Sequence, residues 1–158
     1  MTVATKKLRV LICDDNETDI LALKKIIKDS VDIVGEAFDA NECLEIMDKV
    51  EVDLILLDID MPGMSGMELA DMIMDFDNPP MIAFITGRED YAIKAFDLAA
   101  VDYVVKPFVL ERIEKTIEKA SNLIHSSNKC DLEESIRKII NDQNKRAIDR
   151  LPVKDYKE

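Results

Sequence analysis

Apolar and polar positions along this chain follow two rhythms. Short runs of aliphatic and β-branched residues, LRVLIC (8–13), VDIVGEA (31–37), DLILLDI (53–59), MIAFIT (81–86) and VDYVVK (101–106), read as five strands. Between and after them the apolar spacing becomes helical. Ile20, Leu23 and Ile27 mark a first helix, and Ala40, Cys43, Leu44 and Met47 a second. Leu69, Met72, Ile73 and Phe76 mark the third, Ala92, Ala95, Phe96 and Ala99 the fourth, and Ile113, Ile117, Ala120 and Ile124 the fifth.

Strands that alternate with helices through short loops predict an α/β domain whose parallel sheet is covered on both faces. Right-handed crossovers then favour a flavodoxin-like, doubly wound (βα)5 fold of strand order 2-1-3-4-5 over residues 1–125. Ligands of such sheets bind beyond the carboxyl ends of the strands. After His125 a polar break, SSNK, leads to CDLEESIRKIINDQNKR, where Leu132, Ile136, Ile139 and Gln143 recur at heptad-like spacing. Residues 126–150 are therefore expected to form a linker and C-terminal helical extension, and 151–158 a tail or the start of a further domain. An amphipathic helix of that length is marginal alone and is expected to dock or to pair with a copy of itself.

Composition narrows the class. A hydrophobic fraction of 47% over 158 residues excludes disorder throughout and suits one ordinary domain with length to spare. No apolar run approaches the ~20 residues of a membrane span. MTVATKKLRVLIC lacks signal-peptide architecture, so a cytoplasmic protein without a membrane role is expected. Cys13, Cys43 and Cys130 are odd in number and far apart, which suits reduced thiols better than a disulfide frame or a zinc site. The net charge of −12 disfavours non-specific binding to nucleic acid. All of that acidity belongs to residues 1–125, which carry 26 acidic against 13 basic side chains.

Some of these acids converge. The first strand runs into Asp14 and Asp15, the third into Asp58 with Asp60 close behind, the fourth into Thr86-Gly87 and the fifth into Lys106-Pro107. Singly, an aspartate after a strand is a turn or cap residue and a lysine is a solvated charge. Together at one edge of a sheet they form a site. Clustered carboxylates raise one another's pKa unless a cation relieves them, and Mg²⁺ is the cation suited to a few carboxylates, a carbonyl and waters. Lys106 adds a point charge for an anionic oxygen and Thr86 a hydroxyl. A carboxylate nucleophile, a metal, a lysine and a hydroxyl are the requirements of phosphoryl transfer to an aspartate.

In VLICDDN, LILLDIDMPGMSG, FITGRED and AVDYVVKPF, in that order and spacing, residues 7–125 resemble the receiver domains of two-component response regulators. The resemblance implies that Asp58 accepts a phosphoryl group from a sensor histidine kinase. It also implies that Asp14 and Asp15 hold Mg²⁺ with Asp58 and the backbone carbonyl of Asp60, and that Thr86 and Lys106 contact the phosphoryl group. It makes Lys106-Pro107 a cis peptide and Tyr103 the switch aromatic that turns inward when Thr86 moves. Arg88 falls where the family tunes phosphate lifetime, an exposed loop arginine being the plain alternative. Such a domain is a signalling device that catalyses only its own phosphotransfer and dephosphorylation. On phosphorylation the face made by the fourth helix, fifth strand and fifth helix, including Ala92, Phe96 and Tyr103, is expected to form a homodimer or partner surface.

YAIKAFDLAAVDYVVKPF resembles receivers that precede LytTR-type DNA-binding domains, and RLPVKDYKE resembles the opening of such a domain. A truncated transcription regulator is thus expected, reaching DNA only through its missing C-terminal part; a stand-alone receiver acting through protein–protein contacts is the alternative. DIDMP also resembles the nucleophile–acid pair of haloacid-dehalogenase-type phosphatases, but those place their metal-holding acids downstream, whereas Asp14-Asp15 lies upstream. A flavin or nucleotide site would need a Ser/Thr/Gly-rich first loop, and CDDNET presents carboxylates. Met61, Met64 and Met67 are expected to pack, and His125 to face solvent.

Overall fold

The computed structural model describes residues 7–125. Its elements are β1 (Arg9–Cys13), α1 (Glu17–Ile27), β2 (Asp32–Ala37), α2 (Ala40–Lys49), β3 (Leu54–Leu57), α3 (Gly66–Met74), β4 (Met81–Thr86), α4 (Ala92–Asp97) and β5 (Asp102–Val105), followed by a helix, α5, over 110–125. The five strands form one parallel sheet of order β2-β1-β3-β4-β5, as expected. The extension expected over 126–150, the tail 151–158 and Cys130 lie outside the described residues.

Central position explains the composition of each strand. In β3 the side chains of Leu54, Ile55, Leu56 and Leu57 are all buried, because helices cover both faces of the sheet. Burying each such side chain contributes roughly 1.5–3 kcal/mol. The edge strands β2 and β5 are only half-buried and hold the polar residues Asp32, Glu36 and Asp102. Helix starts follow local capping chemistry. The Asn16 side chain accepts from the N–H groups of Thr18 and Asp19, Asp39 caps α2, and Ser65 with Glu68 forms a reciprocal capping box on α3.

Two helical stripes are shorter than their spacing predicts. Helix α4 stops at Asp97, and Ala99 lies beyond it in the left-handed region (φ 60°). Of the stripe Ala92, Ala95, Phe96 and Ala99, only Ala95 is buried; Phe96 is 82% exposed and the neighbouring Ile93 80%. Helix α3 likewise stops at Met74, so Phe76 lies past its end, and Phe76 and Met72 are both partly exposed. The chain turns there through Asn78 (φ 54°) and the Pro79-Pro80 pair, neither of which continues a helix. The methionine expectation holds. Met61 and Met67 are buried, Met64 packs against the same core, and His125 is exposed.

Asp102 fastens α5 to the sheet. Its buried carboxylate accepts from Arg112 Nη1 at 2.7 Å and Nη2 at 2.8 Å, from Thr116 Oγ1 at 2.8 Å and from the Tyr103 N–H at 2.9 Å. Burial alone would raise this carboxyl, but the hydrogen bonds from Arg112, Thr116 and Tyr103 hold it well below the usual carboxylate range. Its contribution to stability is therefore present above the ordinary value of 3.8 and is lost as pH falls through the depressed native value. Asp102→Ala is expected to lower the unfolding free energy by about 2–3 kcal/mol, discounted from a fully buried pair because Arg112 is partly exposed. Urea unfolding at neutral pH checks the size, and a shrinking difference in acid checks the sign.

Candidate functional site

Strand register builds the site. Cys13 lies opposite Leu57 in the β1–β3 ladder, and the Asp58 N–H donates to the Cys13 carbonyl at 3.0 Å, so the next residues on the two strands, Asp14 and Asp58, emerge side by side. Thr86 lies opposite Val105, and the Lys106 N–H donates to the Thr86 carbonyl at 2.8 Å, bringing Lys106 to the same edge. Gly66 seats the loop below. A Cβ there would fall 2.0 Å from the Asp58 carbonyl oxygen, so only glycine allows α3 to start against that backbone.

Asp14 and Asp58 are 2% and 5% exposed, an expensive setting for charge without partners. Lys106 supplies one partner for both. Its Nζ lies 2.8 Å from Asp14 Oδ2, 3.2 Å from Asp58 Oδ2 and 2.6 Å from Asp19 Oδ2. Burial works against this ammonium, but the bonds to Asp14 and Asp19 and the charge of Asp58 raise its pKa above the ordinary lysine value, so it stays charged. Asp14 shows the strain of sharing. Burial pushes its carboxyl up to about 6, although Lys106 and the Asn16 N–H (2.9 Å) pull it down; the charge of Asp58 adds to the rise.

One oxygen from each of Asp14, Asp15 and Asp58 can gather within 4.8 Å of the others, with Asp15 exposed at the mouth. Three carboxylates are more negative charge than one lysine balances, and the hard oxygen donors suit a small divalent cation. Asp60 is exposed. Its N–H donates to Asp58 Oδ1 at 3.3 Å, while its carboxylate pairs with Arg88 Nη1 at 3.2 Å. A phosphatase acid would have to face the nucleophile, and this one is held by Arg88 instead.

Thr86 is fully buried, and its Oγ1 accepts from the Arg88 N–H at 3.3 Å. The Tyr103 hydroxyl donates to the carbonyl of the same Arg88, and its ring lies 6.1 Å from that of Phe84. Thr86 and Tyr103 therefore grip the two polar groups of one residue. The Arg88 guanidinium spans Asp60 and Asp90 and lies 4.9 Å from the centre of the Tyr91 ring.

The remaining thiols belong to the core. Cys13 and Cys43 are buried and unpaired by disulfide, and the hydrogen bond to Cys43 together with burial pushes the Cys13 thiol far above its ordinary value. Asp19 escaped the sequence reading, because an acid in the first turn of a helix ordinarily serves the helix dipole. No local spacing signals it, because its partner Lys106 lies 87 residues away.

A family model for the response regulator receiver domain matches residues 10–118. The chain is 36% identical over 126 residues to the sensory transduction protein LytR of Staphylococcus haemolyticus, covering 78% of this chain and 49% of that protein. It is 39% identical over 114 residues to the transcriptional regulatory protein BtsR of Salmonella typhimurium, covering 71% and 47%. The chain thus spans about half the length of the curated relatives it matches. Among solved structures, the response regulatory domain of MrkE from Klebsiella pneumoniae matches with a TM-score of 0.70 at 33% identity, over 73% of this chain and 97% of that one. The response regulator TrrA from Thermotoga maritima, solved with Mg²⁺ and BeF, matches at 0.65 and 29% identity, over 72% and 98%. By its family match, its relatives and its sheet order, the chain belongs to the response regulator receiver domains.

Proposed function

We propose that Asp58 accepts a phosphoryl group from the phosphohistidine of a sensor histidine kinase, in a Mg²⁺-dependent reaction that switches the exposed face of α4, β5 and α5. The observation that carries this reading is the Lys106 ammonium lying between the buried carboxylates of Asp14 and Asp58. An Asp58 oxygen attacks phosphorus, a P–O bond forms, and the P–N bond to histidine breaks with its electron pair leaving on the imidazole. Lys106 meets the charge of the incoming phosphoryl oxygens. Mg²⁺, held by Asp14, Asp15, Asp58 and the Asp60 carbonyl, would neutralise further charge on the transferred group.

The modified Asp58 carries about −2 charge and strong acceptor oxygens. Its demand for donors draws on the Thr86 hydroxyl, whose partner is the Arg88 N–H, and Tyr103 holds the other side of that residue. The change is thereby handed to the face of α4, β5 and α5, where Ile93, Phe96, Val105 and Val109 are exposed. An apolar surface of this kind suits a homodimer formed on phosphorylation. The likeness to LytR and BtsR over about half their length supports residues 1–125 as the receiver of a cytoplasmic transcription regulator. Residues 126–150 would then link to a DNA-binding part that begins near 151.

Incubation with acetyl phosphate and Mg²⁺ is expected to add one phosphoryl group by intact mass, and both Asp58→Ala and chelation of Mg²⁺ to abolish it; an adduct that survives Asp58→Ala refutes the assignment. Because Asp14 titrates near 6, protons compete with the metal there, and Mg²⁺ affinity should fall about tenfold between about pH 8 and about pH 5, read by NMR titration. In the metal-free protein the same raised value acts on stability in the other direction. The native state holds the Asp14 proton more tightly, so this contribution is full below 3.8 and is lost as pH rises through about 6. Phe96→Ser is expected to leave phosphorylation intact and to keep the phosphorylated protein monomeric in light scattering.

A further inference from the structure

An ammonium group has three protons, and those of Lys106 face three carboxylates. The shortest of the three contacts is neither to Asp14 nor to Asp58. It is to Asp19, at 2.6 Å, from the first turn of α1. Asp19 is available for this because Asn16 already satisfies the N–H groups of Thr18 and Asp19 as the cap. The Asp19 side chain is 27% exposed and that of Lys106 18%, so water competes only partly for the pair. Among its three partners, Asp19 is also the one outside the cation cluster of Asp14, Asp15 and Asp58.

That difference matters once the site is used. A cation at Asp14 and a phosphoryl group on Asp58 would both draw on carboxylates that now hold Lys106, and Asp19 has neither demand on it. We propose that Asp19 is the positioning residue for Lys106, anchoring its ammonium on the α1 side so that a donor stays directed at the phosphoryl oxygens while the other two partners change. The inference rests on the reading of Asp58 as the phosphoryl acceptor. Its sign is distinctive. A bare carboxylate near an incoming phosphoryl anion repels it, so its removal would speed the reaction. Loss of an anchor slows it.

The test measures the initial rate of adduct formation from acetyl phosphate at saturating Mg²⁺ by intact mass, with circular dichroism as a check on folding. Asp19→Ala is expected to slow the reaction about tenfold, the scale of one charge-assisted hydrogen bond. Asp19→Asn, which keeps an acceptor of nearly the same shape, should slow it less and serves if the alanine variant misfolds. In a Lys106→Met background neither change should have a further effect, because the anchor acts through that lysine. In the metal-free protein, ¹⁵N NMR should show Lys106 ammonium protons protected from exchange and should lose that protection in Asp19→Ala. An unchanged or faster rate in the Asp19 variants, or the same slowing with and without Lys106, overturns the inference. An adduct that persists in Asp58→Ala overturns the underlying assignment instead, so the two failures are distinct.

Discussion

The contact of Lys106 Nζ with Asp14, Asp19 and Asp58 ties the end of β5 to β3 and to the β1–α1 corner at the other end of the domain sequence. Asp14 follows β1, Asp19 opens α1, Asp58 follows β3 and Lys106 follows β5. Without that cation the carboxyl edge of the sheet would gather buried like charges with nothing to offset their loss of hydration. With it, the buried carboxylates of Asp14 and Asp58 share one positive partner, at 2.8 and 3.2 Å. The edge is still short of positive charge, which is why a divalent ion suits the place, and burial already pushes the Asp14 carboxyl up to about 6.

Much of this was legible in the sequence because each site residue directly follows an apolar run. Once the runs before Asp14, Asp58, Thr86 and Lys106 are read as parallel strands, their ends must meet, whatever the details of packing. Side-chain reach is what spacing conceals. Asp19 and Asp102 look like ordinary charges on a helix start and a strand start, and only tertiary geometry shows that one meets Lys106 and the other Arg112. The fourth helix misled for a related reason. Its alanines and Phe96 keep helical spacing, but Ala99 turns left-handed and the helix is too short to bury the stripe. Of that stripe only Ala95 is buried, while Ala92 and Phe96 are exposed on the face expected to meet a partner.

Arg88 shows how a residue can serve twice. Its backbone is shared by Thr86 and Tyr103, while its side chain ties Asp60 to Asp90 over the Tyr91 ring. The ion pairs are exposed and individually weak. Together with the backbone bonds to Thr86 and Tyr103, they tie Arg88 to both sides of the loop after β4.

The floor of the site is of a different character from its walls. Gly66 approaches the Asp58 carbonyl so closely that a single methyl group would collide with it, and the Gly66 N–H is bonded to the Ile59 carbonyl at 2.8 Å. The main chain under Asp58 therefore has almost no slack. Any adjustment to a ligand at this edge falls to side chains rather than to the backbone, with Lys106 Nζ, 3.2 Å from Asp58 Oδ2, nearest to hand.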